Sequence, residues 1–185
     1  MRRGVRVVVG LVVTLWLAGC GSQPATPAPS ATTPTLHAPT GSASALSDVV
    51  VARDKALAAY RGMWSAYQKA GEVPDPDYPD LRTYATGSAL DTLTSGLSSI
   101  RDRGLVAKGE ISLDPHMTGF EPADQPTSVD ITDCADDSKA LLYKKSGELY
   151  NDKPGGRRLV LATVKDIGGA IWKVESFGAH DVGTC

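Results

Sequence analysis

Residues 157–179, RRLVLATVKDIGGAIWKVESFGA, contain two apolar runs joined by a pair of glycines. The short length of the runs, their β-branched residues and the tight turn between them predict a β-hairpin. The first run is apolar on both faces, with Leu159 and Leu161 on one side and Val160 and Ala162 on the other. We expect such a strand to be covered on both faces or to line a closed hollow.

Three further segments in the C-terminal half have the same strand-like pattern, and they are residues 105–113, 127–132 and 140–150. Turn-forming stretches separate them, including the acidic DCADDS of residues 133–138. Because short glycine-rich turns favour the pairing of consecutive strands, we expect the last three strands of the chain to form an antiparallel meander.

The preceding part of the chain has helical periodicity instead. Apolar and aromatic residues from Val50 to Tyr67 recur at three- and four-residue spacing in a first helix, which Ser47 can cap and Gly71 ends. After the proline-rich EVPDPDYPD, a short helical turn around Leu81 is followed by a run that Ser88 can cap and Gly104 ends. Helices followed by antiparallel strands predict an α+β fold.

This order of elements within residues 46–185 resembles the nuclear transport factor 2-like superfamily, which has a cone-shaped α+β fold. The resemblance implies a single domain in which N-terminal helices pack on a curved antiparallel sheet and leave an apolar pocket beside the first helix. The aromatic face of the first helix, which Tyr60, Trp64 and Tyr67 share, would border this pocket. Tyr60, Trp64 and Tyr84 are the candidate pocket residues, and the two tyrosines are favoured because a phenol can reach a polar ligand from an apolar wall. The alternative is that the three rings of this face simply fill the core.

The N-terminus carries a separate signal. Three arginines precede an apolar run, residues 7–17, which is too short to span a membrane as a helix. The run leads into the sequence Leu17-Ala18-Gly19-Cys20. This arrangement resembles the lipobox of bacterial lipoproteins, of the actinobacterial type. The resemblance implies that residues 1–19 are a cleaved signal peptide and that the Cys20 thiol receives a diacylglyceryl group. A retained signal anchor with an incidental cysteine is the alternative.

Such a lipid would hold the protein at the extracytoplasmic face of the cell membrane, because two acyl chains anchor a protein stably. Residues 20–45 are uncharged and rich in Pro, Ser, Thr and Ala, which predicts a disordered tether. Without residues 1–19 the chain has 16 Lys and Arg against 21 Asp and Glu, a net charge of −5. This charge argues against nucleic acid as a partner and leaves membrane attachment to the lipid alone.

The chain has three cysteines, an odd number that is unusual for an exported protein because the cysteines cannot all form disulfides within the chain. If Cys20 carries lipid, Cys134 and Cys185 remain together in an oxidising compartment, and we expect a disulfide between them. Two buried reduced thiols are the alternative. A bridge that closes a loop of about fifty residues would stabilise the fold by roughly 4 kcal/mol.

Catalytic and metal-binding motifs are missing from the sequence. It has no nucleophile elbow, phosphate loop or zinc motif, and His116 and His180 fit surface positions better than the role of a catalytic base. The acidic run DITDCADDS, residues 130–138, offers hard oxygen ligands but lacks the spacing of a calcium loop. We therefore predict no metal site, no cofactor and no catalytic residue.

The expected function is that of a non-catalytic binding or accessory module at the cell envelope. Its partner would be an envelope protein or a small apolar ligand. The alternative is a lyase or isomerase that acts on a small molecule in an apolar pocket. Such an enzyme needs an acid or base that faces the pocket, and the sequence shows none at a diagnostic spacing.

Overall fold

The computed structural model describes residues 43–150 and 155–185 of the chain. The predicted signal peptide, the lipobox with Cys20 and nearly all of the predicted tether lie outside the described residues. In the part of the chain that the structure describes, no helix is both long enough and apolar enough to cross a membrane.

Three helices precede six strands within the described residues. The helices are α1 (Ala43–Glu72), α2 (Pro79–Tyr84) and α3 (Gly87–Asp102). The strands are β1 (Leu105–Lys108), β2 (His116–Glu121), β3 (Ser128–Asp136), β4 (Leu141–Lys144), β5 (Arg157–Asp166) and β6 (Trp172–Ala179). Because the helices pack against antiparallel sheets, the predicted α+β fold class is confirmed.

Both predicted helix caps are wrong. α1 already begins at Ala43, so Ser47 lies inside the helix. The N-cap of α3 is Thr86 rather than Ser88, because the Ser88 hydroxyl donates to the backbone carbonyl of Glu175 instead. A serine near a helix start can donate to its own helix or to a neighbouring element, and here Ser88 donates to a strand.

Small residues form much of the buried face of α1. The buried alanines of this helix are Ala52, Ala56, Ala59, Ala66 and Ala70. They let the sheet approach the helix closely, while Tyr60 and Met63 fill the space between them. Val50, which belongs to the predicted apolar periodicity, is instead 44% exposed.

The strands form a four-stranded antiparallel sheet, in the order β2-β3-β5-β6, and a separate two-stranded sheet of β1 and β4. The β5–β6 hairpin is confirmed. The predicted meander is wrong, because β5 pairs with β3 and not with β4. β2 was not predicted, since its sequence HMTGFE alternates poorly and is interrupted by a register shift between Met117 and Gly119.

Residues 133–136 of the acidic stretch that is predicted as a turn belong to a strand, and the turn begins only after Asp136. β3 continues to Asp136 with Val129, Ile131, Asp133 and Ala135 buried on its inner face. On β5, Val160 points inward and is buried, whereas Leu161 is 45% exposed on the outer face. The expectation that both faces of this strand are covered is therefore wrong at Leu161.

The predicted disulfide is confirmed. Cys134 of β3 is bonded to Cys185, with 5.8 Å between the two Cα atoms. The bridge joins positions 51 residues apart and fastens the segment after β6 to the outer face of the large sheet.

Candidate functional site

An apolar cleft of about 420 Å³ lies between the helices and the two-stranded sheet. Its walls come from α1, α3, β1, β4 and β6 and from the loops beside them. The residues that line it are Trp64, Tyr67, Thr92, Leu93, Gly96, Ile100, Ala107, Ile111, Asp137, Ala140, Leu142 and Phe177. A smaller cavity of about 40 Å³ shares Tyr67, Ile100, Ala107, Ile111 and Ala140 with this cleft.

Two glycines set the spacing of the cleft walls. A Cβ at Gly96 of α3 would lie 3.0 Å from the Tyr67 hydroxyl oxygen, so a larger side chain would displace the phenol. A Cβ at Gly71 of α1 would lie 2.9 Å from the Cβ of Ala107, so β1 rests directly on this helix. The two-stranded sheet therefore packs closely on one end of α1 at Gly71, and Gly96 leaves room for the Tyr67 phenol between α1 and α3.

Three polar side chains interrupt the apolar wall. Burial raises the pKa of the Tyr67 phenol above its ordinary value, so the phenol, which is neutral at ordinary pH, acts here as an uncharged hydrogen-bonding group. The Thr92 hydroxyl donates to the Ser88 carbonyl at 2.8 Å. The Asp137 carboxylate accepts a 2.7 Å hydrogen bond from the Gly156 N–H. A few polar groups in an apolar wall are what orients a ligand in a small-molecule site.

Asp137 is also held by an ion pair. Its Oδ2 lies 3.1 Å from a terminal nitrogen of Arg158, and about a quarter of each of these two side chains is exposed. The charge of Asp137 is therefore largely balanced at the edge of the cleft, where its carboxylate can accept a hydrogen bond from a ligand.

Trp64 belongs both to the core and to the cleft wall. It is 8% exposed, and its ring makes edge-to-face contacts with Tyr60, Tyr67 and Phe177 at centroid distances of 6.3, 6.1 and 5.4 Å. The cleft-lining set includes Trp64 but neither Tyr60 nor Tyr84. Tyr67, which shares the predicted aromatic face, also lines the cleft.

The other two candidate pocket residues have different surroundings. Tyr60 is fully buried. The ring of Tyr84 packs over Gly62 so closely that a Cβ there would lie 2.5 Å from it. In this fold the phenols of Tyr60 and Tyr84 therefore fix α1 to its neighbours.

Tyr60 forms a buried polar pair with Asp133, which is also fully buried. The Tyr60 hydroxyl donates to Asp133 Oδ2 at 3.0 Å, and the backbone N–H of Asp114 donates to Oδ1 at 2.7 Å. Burial raises the pKa of Asp133, and the two hydrogen bonds oppose that effect without cancelling it. Burial also raises the pKa of Tyr60, and the charge of Asp133 adds to this.

Sequence reasoning missed Asp133 because it assigned residues 133–138 to an exposed turn. The signal that identifies its environment is the alternation of β3, in which every second residue from Val129 to Ala135 is buried. Read with this register, Asp133 falls among the core residues.

The remaining polar candidates lie at the surface. His116 is exposed at the start of β2, with Nδ1 3.9 Å from the Asp114 carboxylate, and His180 is exposed after β6. Asp130 accepts a hydrogen bond from the Thr163 hydroxyl on the outer face of the sheet. Among the residues that the structure describes, no three His, Cys, Asp or Glu side chains come together as ligands for a metal ion.

No protein family matches the chain, and no curated protein is similar to it in sequence. Among solved structures, the chain is similar to the intermembrane space region of the chloroplast protein ARC6. The two share 18% sequence identity with a TM-score of 0.42, and the alignment covers 68% of this chain and 96% of that chain.

Proposed function

We propose that the protein is an exported, lipid-anchored lipoprotein whose domain, residues 46–185, is a non-catalytic module that binds a small, mainly apolar ligand. The observation that carries this proposal is the cleft of about 420 Å³ beside α1. Small-molecule sites typically have volumes of roughly 300–1,000 Å³ and mostly apolar walls with a few polar groups. The ligand would place its apolar body between Trp64 and Leu142 and a hydrogen-bonding group near Tyr67, Thr92 or Asp137.

The proposed location depends on the sequence at the N-terminus. The order of arginines, short apolar run, small residues and Cys20 supports lipid attachment at the extracytoplasmic face of the membrane. We also propose that the domain is nuclear transport factor 2-like. Its support is the order of helices before antiparallel strands and the position of the cleft beside the first helix.

A concave cleft between two layers favours a small ligand over an envelope protein as the occupant. The lyase or isomerase alternative would need an acid or base at the cleft wall. Asp137 does line the cleft, but its carboxylate is engaged by Arg158 and by the Gly156 N–H. The buried Tyr60–Asp133 pair has a perturbed pKa at both members, but neither residue lines the cleft. Binding without catalysis is therefore the better-supported function.

Titration of the protein with the neutral apolar dye N-phenyl-1-naphthylamine tests this proposal. We expect the dye to gain fluorescence on binding, and Leu142→Trp, which fills the cleft from β4, to weaken the binding at least about tenfold. Leu161→Trp on the exposed outer face is the matched control and should bind like the parent chain. Thr92→Phe fills the cleft from the opposite wall and should reproduce the effect of Leu142→Trp.

Two results would overturn the proposed site. One is the absence of dye binding by the parent chain. The other is equal binding by the parent and by both cleft-filling variants, which would place the dye elsewhere on the protein.

A further inference from the structure

The Cys134–Cys185 disulfide has an asymmetric environment. The guanidinium of Arg157 directs two of its nitrogens at one sulfur, with Nε 3.3 Å and a terminal nitrogen 3.2 Å from the Sγ of Cys134. Arg157 and Cys185 are exposed, whereas Cys134 is half-buried on the outer face of β3. The positive charge therefore acts on the less accessible sulfur, and the other sulfur is open to solvent.

This asymmetry gives the bond a preferred direction of cleavage. A cation beside a cysteine stabilises its thiolate. In thiol–disulfide exchange, the sulfur that leaves as the more stable thiolate leaves faster. Contact with Arg157 thus makes Cys134 the better leaving group, and exposure makes Cys185 the more accessible sulfur for attack.

We propose that this disulfide is a thiol-exchange site that opens by attack of an external thiolate on the Sγ of Cys185. A new bond forms between the attacking sulfur and Cys185, the Cys134–Cys185 bond breaks, and its electron pair leaves with Cys134 as a thiolate beside Arg157. A second thiol of the reductant then attacks the mixed disulfide and releases Cys185 as a thiol. The disulfide gains two electrons in total, and the two reductant thiols become a disulfide.

The neighbouring charges limit the size of the effect. Asp136 lies opposite Arg157 in the register of β3 and β5. Hydrogen bonds from Ser138 are the main reason that the pKa of Asp136 is lowered, and the charge of Arg157 contributes less. Arg157 therefore divides its charge between this carboxylate and Cys134, so we expect a change of about three- to tenfold in the exchange rate.

The segment that carries Cys185 has further attachments to β5. The His180 N–H donates to the Leu159 carbonyl at 2.8 Å, and the Gly183 N–H donates to the Arg157 carbonyl at 2.7 Å. The Leu159 N–H in turn donates to the Thr184 hydroxyl at 2.8 Å. These bonds keep the segment of Cys185 beside β5 when the bridge opens, so they favour re-closure of the disulfide within the chain.

The test uses the full-length chain with Cys20→Ser, in which Cys134 and Cys185 are the remaining cysteines. The protein is incubated with reduced glutathione, quenched early with iodoacetamide and analysed by peptide mass spectrometry. We expect glutathione on Cys185 and the alkyl label on Cys134, and we expect Arg157→Gln to slow opening about three- to tenfold. Arg157→Lys keeps the charge but loses the two-nitrogen contact, so its opening rate should lie between those of the parent and Arg157→Gln.

Two controls separate the contact from general effects. Lys165→Gln removes the same formal charge at the far end of β5 and should leave the rate unchanged. In urea, where the contact is lost but the disulfide remains, Arg157→Gln and the parent should open at closely similar rates. Equal rates in the folded proteins, or glutathione found mainly on Cys134, would overturn the proposal.

Discussion

Asp133 shows how one side chain can tie several elements of this fold together. It lies on β3, accepts a hydrogen bond from Tyr60 of α1 and another from the backbone of Asp114 in the loop before β2. A buried carboxylate of this kind fixes the positions of its partners, but the charged form loses its hydration. The net effect on stability must therefore depend on pH.

We predict that Asp133→Asn changes the pH profile of stability. The folded state raises the pKa of Asp133 above its ordinary value, so the native protein holds this proton more tightly than the unfolded chain does. The contribution of this proton to the free energy of unfolding is fully present below the pKa of Asp133 in the unfolded chain. It is lost as pH rises through the higher pKa of Asp133 in the folded state. Compared with Asp133→Asn, the parent should therefore lose stability with increasing pH above about 4.

Urea denaturation of both proteins between about pH 3.5 and 7 measures this difference. Asp91→Asn, at an exposed position of α3, is the control and should follow the pH profile of the parent. Parallel profiles for the parent and Asp133→Asn would show that the buried carboxylate has the same proton affinity in both states.

The helical spacing in the sequence predicts which aromatic residues share one face of α1. It does not predict which of their rings borders the cleft. Tyr60, Trp64 and Tyr67 lie on one face of α1, yet Tyr60 points to Asp133 and Tyr67 towards Gly96. The difference is set by partners that are distant in sequence, on β3 and α3. No periodicity within α1 contains that information.

Among the elements, the two-stranded sheet of β1 and β4 depends most on its surroundings. An isolated pair of strands is marginally stable in water, so this sheet needs its packing against the helices. The Ala107–Gly71 contact supplies part of that packing. At the end of β1, Gly109 has a φ of +103° and its backbone packs against the Lys139 carbonyl before β4.

We predict that Gly109→Ala loosens this sheet and with it one wall of the cleft. Alanine is strained at a positive φ, and its Cβ would also overlap the Lys139 carbonyl, so we expect a loss of about 2–3 kcal/mol. Amide hydrogen exchange should become faster in β1 and β4 and change much less in β3 and β5.

Gly104→Ala is the matched control for this variant. Gly104 has a φ of +70°, but a Cβ there would meet nothing within 4 Å. It carries the backbone strain without the overlap and should lose only about 1 kcal/mol. If both variants destabilised β1 and β4 equally, the close approach of Gly109 to Lys139 would have no energetic role.

Some helices and strands can be predicted from the sequence and others cannot, because they differ in how much of one face they bury. Long periodic segments such as α1 and α3 are visible in the sequence, because one face of each is buried against the rest of the domain. β2 escapes detection, because it lies at the edge of the sheet, contains Gly119 and buries little of its surface. The predicted cap of α3 is wrong because the Ser88 hydroxyl donates to β6 rather than to its own helix, and that of α1 is wrong because the helix already begins at Ala43.

At the scale of the whole molecule, the fold class and the disulfide could be predicted, but the pairing of the strands could not. Turn residues between β4 and β5 favour a local hairpin, whereas the structure pairs β4 with β1 and β5 with β3. This arrangement brings Ala107 and Leu142 together as a wall of the cleft. The cleft thus results from long-range pairing, which local sequence signals do not encode.

The proposed membrane attachment of the whole protein depends on one residue, Cys20. We expect Cys20→Ser to move the full-length protein from the membrane fraction to the soluble fraction, because it removes the thiol that would carry two acyl chains. The net charge of −5 after residue 19 gives no electrostatic attraction to anionic lipid that would replace the acyl chains.

Fractionation of cells that express each variant, followed by immunoblotting, measures the distribution of the protein between membrane and soluble fractions. The parent should stay with the membranes in high salt and be extracted by detergent, and so should the Cys134→Ser/Cys185→Ser control, which keeps Cys20. Tight membrane attachment of Cys20→Ser would instead indicate that the apolar run of residues 7–17 is retained as a signal anchor.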